Sequence, residues 1–253
     1  MTPGLPTRAD ICVVACAEAW RGDGEIFASG MGTIPMLAAR LARASFEPDL
    51  LVSDGEAFFV AEDLPLGAAA EVIEGWIPFR SVFDTLWAGR RHVMMGASQI
   101  DQSGNQNIAN IGPWNRPKVQ LLGVRGAPGN TVNHATSYWI PSHSRRVFVN
   151  CVDMVSGIGY GRAAEVGGFV NEHHEIRRVI SNLGVLDFET PNHSMRLRSV
   201  HPGVTVDEVV EATAFKLAIP DHVTTTRLPT DFELALLADV LDPGGARHAE
   251  VKT

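Results

Sequence analysis

Short apolar runs broken by glycine turns, with helical stripes between them, set the pattern of this chain. Residues 25–29 are apolar enough for a buried strand, and Gly30-Met31-Gly32 then offers two positions of positive φ or close backbone approach. Pro35 suits the first turn of a helix. Met36, Leu37, Arg40, Leu41 and Arg43 give that helix one apolar and one basic face, and Phe46-Glu47-Pro48 ends it. Residues 49–53 read as a second buried strand, so Asp54 and Glu56 emerge at its carboxyl end, the edge where open parallel sheets bind ligands.

The same alternation continues. Thr7 or Asp10 caps a first helix carrying Ile11, Val14, Cys16 and Ala19, and Ser81 caps a helix over 82–89. Strands are expected at 92–95, 119–122, 146–151, 178–182 and 185–189. The glycine-rich run from Ser156 to Gly161 reads as a flexible loop, and the polar cluster at 171–175 as an exposed turn. Thr205 with Glu208 three residues on forms a capping box, and a last helix covers 230–241. Strands alternating with helices predict an α/β fold: a single open, mostly parallel sheet with helices on both faces and right-handed crossovers. No repeat or low-complexity linker interrupts it, so residues 1–253 are expected to form one domain.

Composition narrows the function. With 45% hydrophobic residues the chain can bury a sizeable core, and a net charge of -8 argues against a general nucleic-acid binder. The absence of an apolar run of about 20 residues argues against a membrane span. Three cysteines without framework spacing fit a reducing compartment, so a cytoplasmic location is expected. Cys12 and Cys16 lie one helical turn apart and read as small buried hydrophobes. His173 and His174 lack the spacing of a zinc site, so no metal is expected. Gly30-x-Gly32 followed by Asp54 about twenty residues on is an incomplete dinucleotide pattern, because Pro35 takes the third glycine's place.

Several stretches carry a family resemblance. GMGTIPMLAARLA from Gly30, with LLVSDGE ending at Glu56, resembles the opening of the β subunit of class I CoA-transferases. In the run from Gly96, the residues Gly96-Ala97, Gln99, Ile100-Asp101, Gly104-Asn105 and Asn107 match that subunit's Gly-Ala-x-Gln-Val-Asp-x-x-Gly-Asn-x-Asn pattern. Asp101, Asn105 and Asn107 are residue types that hold turns through side-chain bonds to backbone. Gly123-Val124-Arg125-Gly126 stands where the family carries Gly-x-Gly-Gly, with Arg125 in place of a glycine, and MRLRSVHPGVTVDEVVEATAFKL is similar to the family's C-terminal region.

The resemblance implies the CoA-transferase fold and a separate α subunit, in an α2β2 assembly. It also implies an acyl-CoA substrate that brings coenzyme A with it, so that no other cofactor is needed. Gly30, Gly32, Gly96, Ala97, Gln99, Gly123, Gly126 and Asn130 would bind the thioester, and Arg125, Asp54 and Glu56 are the catalytic candidates. In the family a β-subunit glutamate attacks the thioester carbonyl. Here Asp54 matches it with one methylene less, and Glu56 lies beyond Gly55, out of register. Misplacing a nucleophile by about 1 Å costs on the order of 100-fold. These departures resemble instead the hydrolytic relatives found in actinobacterial steroid degradation, which implies opening of a carbon ring in a cyclic 1,3-dicarbonyl CoA thioester by water. A true transferase subunit and a non-catalytic nucleotide-binding or scaffolding subunit are the alternatives.

Overall fold

Thr7 caps the first helix, α1 (Arg8–Ala17), in a reciprocal capping box with Asp10, and every residue from Ala9 to Ala17 is buried. Cys12 and Cys16 sit among them, as small core residues. This computed structural model describes residues 5–53 and 57–251. The strand β1 (Phe27–Gly30) leads through Gly32 into α2 (Thr33–Ser45), which turns Ile34, Leu37, Ala38 and Leu41 inward onto α1. The chain then enters β2 (Leu51–Val52), parallel to β1. A separate antiparallel hairpin, β3 (Ala57–Phe59) with β4 (Gly75–Ile77), precedes α3 (Phe79–Ala88) and β5 (Arg91–Gly96). That strand pairs with β1 in parallel, Gly30 standing opposite Met94. The helix expected at 82–89 therefore starts earlier, at Phe79 behind Pro78, and Ser81 lies inside it.

Contacts gather the chain into two compact units: one runs up to Met95 and resumes at Arg227, and the other is Gly96–Thr226. The second unit opens with short hairpin pieces formed by β6 (Gln99–Ile100), β7 (Gln106–Asn107), β8 (Asn110–Ile111) and β9 (Val119–Gln120). After α4 (Ala127–Asn133) come β10 (Ala135–Ile140), α5 (Tyr160–Val166), α6 (Gly168–His173), β11 (Ile176–Ser181), β12 (Gly184–Asp187) and β13 (Arg196–Val200). A capping box at Thr205 starts α7 (Val206–Glu211), as its sequence predicts, and β14 (Thr224–Thr225) ends the unit. Its strands run in the order β14-β13-β12-β11-β10, parallel at both ends and antiparallel through β11, β12 and β13.

The structure corrects three expectations. Residues 146–151 form no strand, because Phe148 drops into the core and its segment makes only one bridge, to Ile100. The glycine-rich run from Ser156 is irregular only to Gly159, as expected; Tyr160 and Gly161 already belong to α5, which Gly167 and Gly168, both at positive φ, divide from α6. His174 is buried rather than exposed. Its Nδ1 meets the Thr131 carbonyl at 2.8 Å, while His173 on the adjacent face stays open.

From Arg227 the chain rejoins the first unit through α8 (Asp231–Ala235), a π-helical turn at Leu236–Leu241, and α9 (Arg247–Glu250). Arg247 locks this return. Its buried guanidinium meets Asp10 at 2.7 Å and Asp242 at 2.8 Å, tying both ends of the chain together. Burial pushes the Asp10 carboxyl up, but bonds from Thr7 and Arg247 outweigh it and hold the group below its usual value. Among the described residues no helix is long and apolar enough to cross a membrane.

Candidate active site

The first group of predicted residues lies at the carboxyl end of β1. Gly30 is required there by close approach: a Cβ would stand 2.3 Å from the Pro35 carbonyl oxygen. Gly32 has φ +109 and sits at the N-cap of α2. The anion position at this helix start is already filled by the chain itself, since the Ile34 N–H donates to Glu250 Oε2 at 3.0 Å. Glu250 is far along the sequence, so no local pattern announces it. Ser53, at the carboxyl end of β2, opens onto a cavity of about 210 Å3 walled by Arg40, Arg43, Phe58 and Phe59. Asp54 and Glu56 lie outside the described residues.

The second group is in the other unit. Gly96 is exposed at the end of β5 and Ala97 half-buried after it, while Gln99 turns inward. Both ends of the Gln99 amide are engaged: Nε2 donates to Asp153 at 2.9 Å, and Oε1 accepts from Asn107 at 2.7 Å and from the Asp153 N–H at 2.9 Å. Gln106 donates to the Gly96 carbonyl at 2.7 Å. Asp101 accepts from the Ser103 and Asn105 N–H groups, each at 3.0 Å, and Asn105 accepts from the Gly159 N–H at 2.9 Å. Asn107 accepts from the Ala109 N–H at 2.9 Å. These are the turn-holding bonds that the residue types suggest, and they fix the loop after Gly96. Burial pushes the Asp101 carboxyl up from its usual value despite these donors.

The segment before α4 has a different character. Gly123 has φ +79, and Arg125, at φ +50, is one of two non-glycine residues with positive φ among those described. An L-residue in this region costs on the order of 1 kcal/mol, and such outliers gather at functional sites. The Arg125 side chain is not buried and has no hydrogen bond or ion pair to a described residue. The neighbouring N–H groups of Gly123, Arg125 and Gly126 likewise find no acceptor among the described residues. The amides further on are spent: Ala127 donates to Val124 at 3.1 Å and Asn130 to Gly126 at 2.9 Å, closing the first turn of α4. Asn130 is itself buried, its amide nitrogen 3.6 Å from where a Cβ on Gly126 would sit. Thr131 anchors this helix from behind, its Oγ1 accepting from the Ile158 N–H at 3.1 Å and its carbonyl meeting His174.

A guanidinium and amides that are unpartnered among the described residues can hold a developing oxyanion or a carboxylate. Among the described residues no three His, Cys, Asp or Glu side chains are grouped to hold a metal ion.

The model of the Coenzyme A transferase family matches residues 17–212. The chain belongs to that family. Within it, the chain is 53% identical to the "Cholesterol ring-cleaving hydrolase IpdB subunit" of Rhodococcus jostii, over 97% of its own length and 96% of the relative's. The crystal structure of Rhodococcus jostii IpdAB contains a chain of 52% identity that superposes with a TM-score of 0.92, covering 98% of this chain and 99% of that one. The 3-oxoadipate CoA-transferase of Pseudomonas knackmussii has a subunit that is 30% identical, over 95% of each chain. The mostly parallel α/β fold expected from the sequence is the CoA-transferase fold of these relatives.

Proposed function

We propose that this chain is the β subunit of a two-subunit hydrolase that opens a carbon ring of a steroid-derived cyclic dicarbonyl CoA thioester, using water. The reading is carried by the contrast in identity: 53% to a ring-cleaving hydrolase subunit against 30% to a transferase subunit, each over nearly the whole chain. Arg125 supports it, because an exposed cation in left-handed backbone stands where the transferase loop carries a glycine.

In this reaction a base on the α subunit takes a proton from water, and the oxygen adds to a ring carbonyl carbon. The unspent amides from Gly123 to Gly126 hold the resulting oxyanion. The ring carbon–carbon bond then breaks, its electron pair passing to the carbon between the carbonyls as an enolate that Arg125 stabilises. Protonation of that carbon leaves a new carboxylate and an intact thioester. Coenzyme A enters as part of the substrate, gripped by the exposed backbone at Gly96 and Ala97, and no separate cofactor takes part. Gln99 acts by holding the loop in shape. The enzyme assembles as α2β2 and works in the cytoplasm, where Cys12, Cys16 and Cys151 stay reduced.

A covalent transferase route is the second reading, favoured by the family match and by the carboxylate Asp54 at the nucleophile's place in the sequence. Assay of the assembled complex separates the two. The hydrolase consumes cyclic acyl-CoA without free CoA appearing and without need of an acceptor acid. Inactivation by borohydride in the presence of acyl-CoA, with exchange abolished in Asp54→Ala, would instead establish the transferase.

A further inference from the structure

Six large apolar side chains stand open between residues 58 and 79: Phe58, Phe59, Val72, Ile73, Trp76 and Phe79, each between 37% and 60% exposed. Phe58 and Trp76 face each other across the β3–β4 hairpin, with ring centroids 6.4 Å apart and planes at 23°. Among the described residues the two strands of this hairpin pair with each other and join no larger sheet. A two-stranded hairpin by itself is marginal in water, and large apolar side chains left this open on one short segment mark a protein interface. Side chains of these sizes bury about 150–250 Å2, so the open halves sum to roughly 600 Å2, against roughly 800 Å2 per partner in a standard interface. Leu51 on β2, the last strand of its sheet, is also exposed and adds to the open apolar surface of this unit.

Charge selects the occupant. Residues 57–79 contain Glu62, Asp63, Glu71 and Glu74 and no Lys, Arg or His. All four acids are exposed, and the cation paired with one of them, Arg43 at 3.0 Å from Asp63, comes from α2. A CoA thioester or an anionic bilayer would meet repulsion along this rim, whereas a protein face with an apolar centre and a basic border complements it.

We propose that residues 57–79 are the docking surface for the α subunit, which meets the Phe58–Trp76 pair with apolar side chains and the acidic rim with Lys and Arg. This rests on the reading that the chain works as one subunit of a two-subunit enzyme. The test is recovery of the α subunit, identified by mass as a CoA-transferase-family chain, with tagged wild type and two double variants. Wild type carries it at equal stoichiometry. Phe58→Glu/Trp76→Glu loses it while keeping the circular dichroism and melting temperature of the isolated chain. Glu71→Lys/Glu74→Lys, which leaves the apolar centre untouched, weakens the complex at least roughly tenfold at low salt, with the difference shrinking by about 0.5 M salt. Recovery of equal amounts with wild type and both variants would overturn the surface while leaving the two-subunit reading intact. Wild type recovered without any such subunit would overturn both. Loss of a homodimer of this chain in the variants, with the mixed complex unchanged, would assign the surface to a second copy and contradict the proposal.

Discussion

Arg125 is where a single residue says most about function. A glycine would take its φ of +50 at no steric cost, so arginine is kept there against a local penalty. Arg125→Gly should therefore leave stability unchanged or raise it by up to about 1 kcal/mol, while ring-opening activity of the complex falls at least about 100-fold. Urea unfolding of the chain and kcat of the complex check the two halves. Gly30→Ala should do the reverse of a harmless change, because its Cβ has to displace the backbone of Pro35, at a cost of about 1–3 kcal/mol in unfolding free energy. The substitution at Arg125 was legible in the sequence as a departure from the glycine pattern, but its lack of a partner among the described residues was not. Nor was the role of Gln99, whose amide is consumed by Asp153 and Asn107.

His143 gives the residue scale a pH signature. Its ring is stacked on Phe148 at 3.6 Å and bonded to Ser181 at 2.9 Å and Thr213 at 3.0 Å. Burial pushes its pKa down from 6.5 to about 3, so it stays neutral in the folded chain while the unfolded chain takes up a proton below about 6.5. Stability contributed here is full above pH 6.5, falls as pH drops toward 3, and changes no further below that. Urea midpoints measured across this window should decline on acidification, and His143→Gln should flatten the decline.

At the scale of elements, helices with local start signals were readable and strands with hidden partners were not. Thr205 announces α7 because a capping box is written within four residues, and at α1 the structure decides between Thr7 and Asp10 by making them the two halves of such a box. By contrast β10 passes unnoticed, since Thr136 and Ser137 are fully buried in it and no polar alternation marks one face. Residues 146–151 fail in the opposite sense: they are apolar enough for a strand, but Phe148 serves as a plug and its carbonyl accepts from Ala214 instead of a ladder neighbour. The burial of α1 also yields a prediction. Burial pushes the Cys12 thiol up to about 12 and the Cys16 thiol well above its usual value, whereas Cys151 is exposed. In the native chain one thiol should react rapidly with a disulfide reagent at pH 8, and all three after denaturation. Rapid native reaction of all three would place α1 outside the core.

For the whole molecule, the fold was legible from strands alternating with helices, and family membership from the resemblance of the glycine turns and the run after Gly96 to the CoA-transferase pattern. The distant devices were not: Glu250 on the first turn of α2 and Arg247 between Asp10 and Asp242 join residues more than 200 positions apart. In the proposed reaction water, and not a carboxylate of this chain, attacks the substrate. Turnover of the cyclic acyl-CoA by the assembled complex in 18O-labelled water tests it most directly. Attack by water places one 18O in the new carboxylate, with an intact CoA thioester and no CoA adduct on this chain. A chain heavier by the mass of bound coenzyme A, with 18O appearing only as that adduct is released, would contradict it.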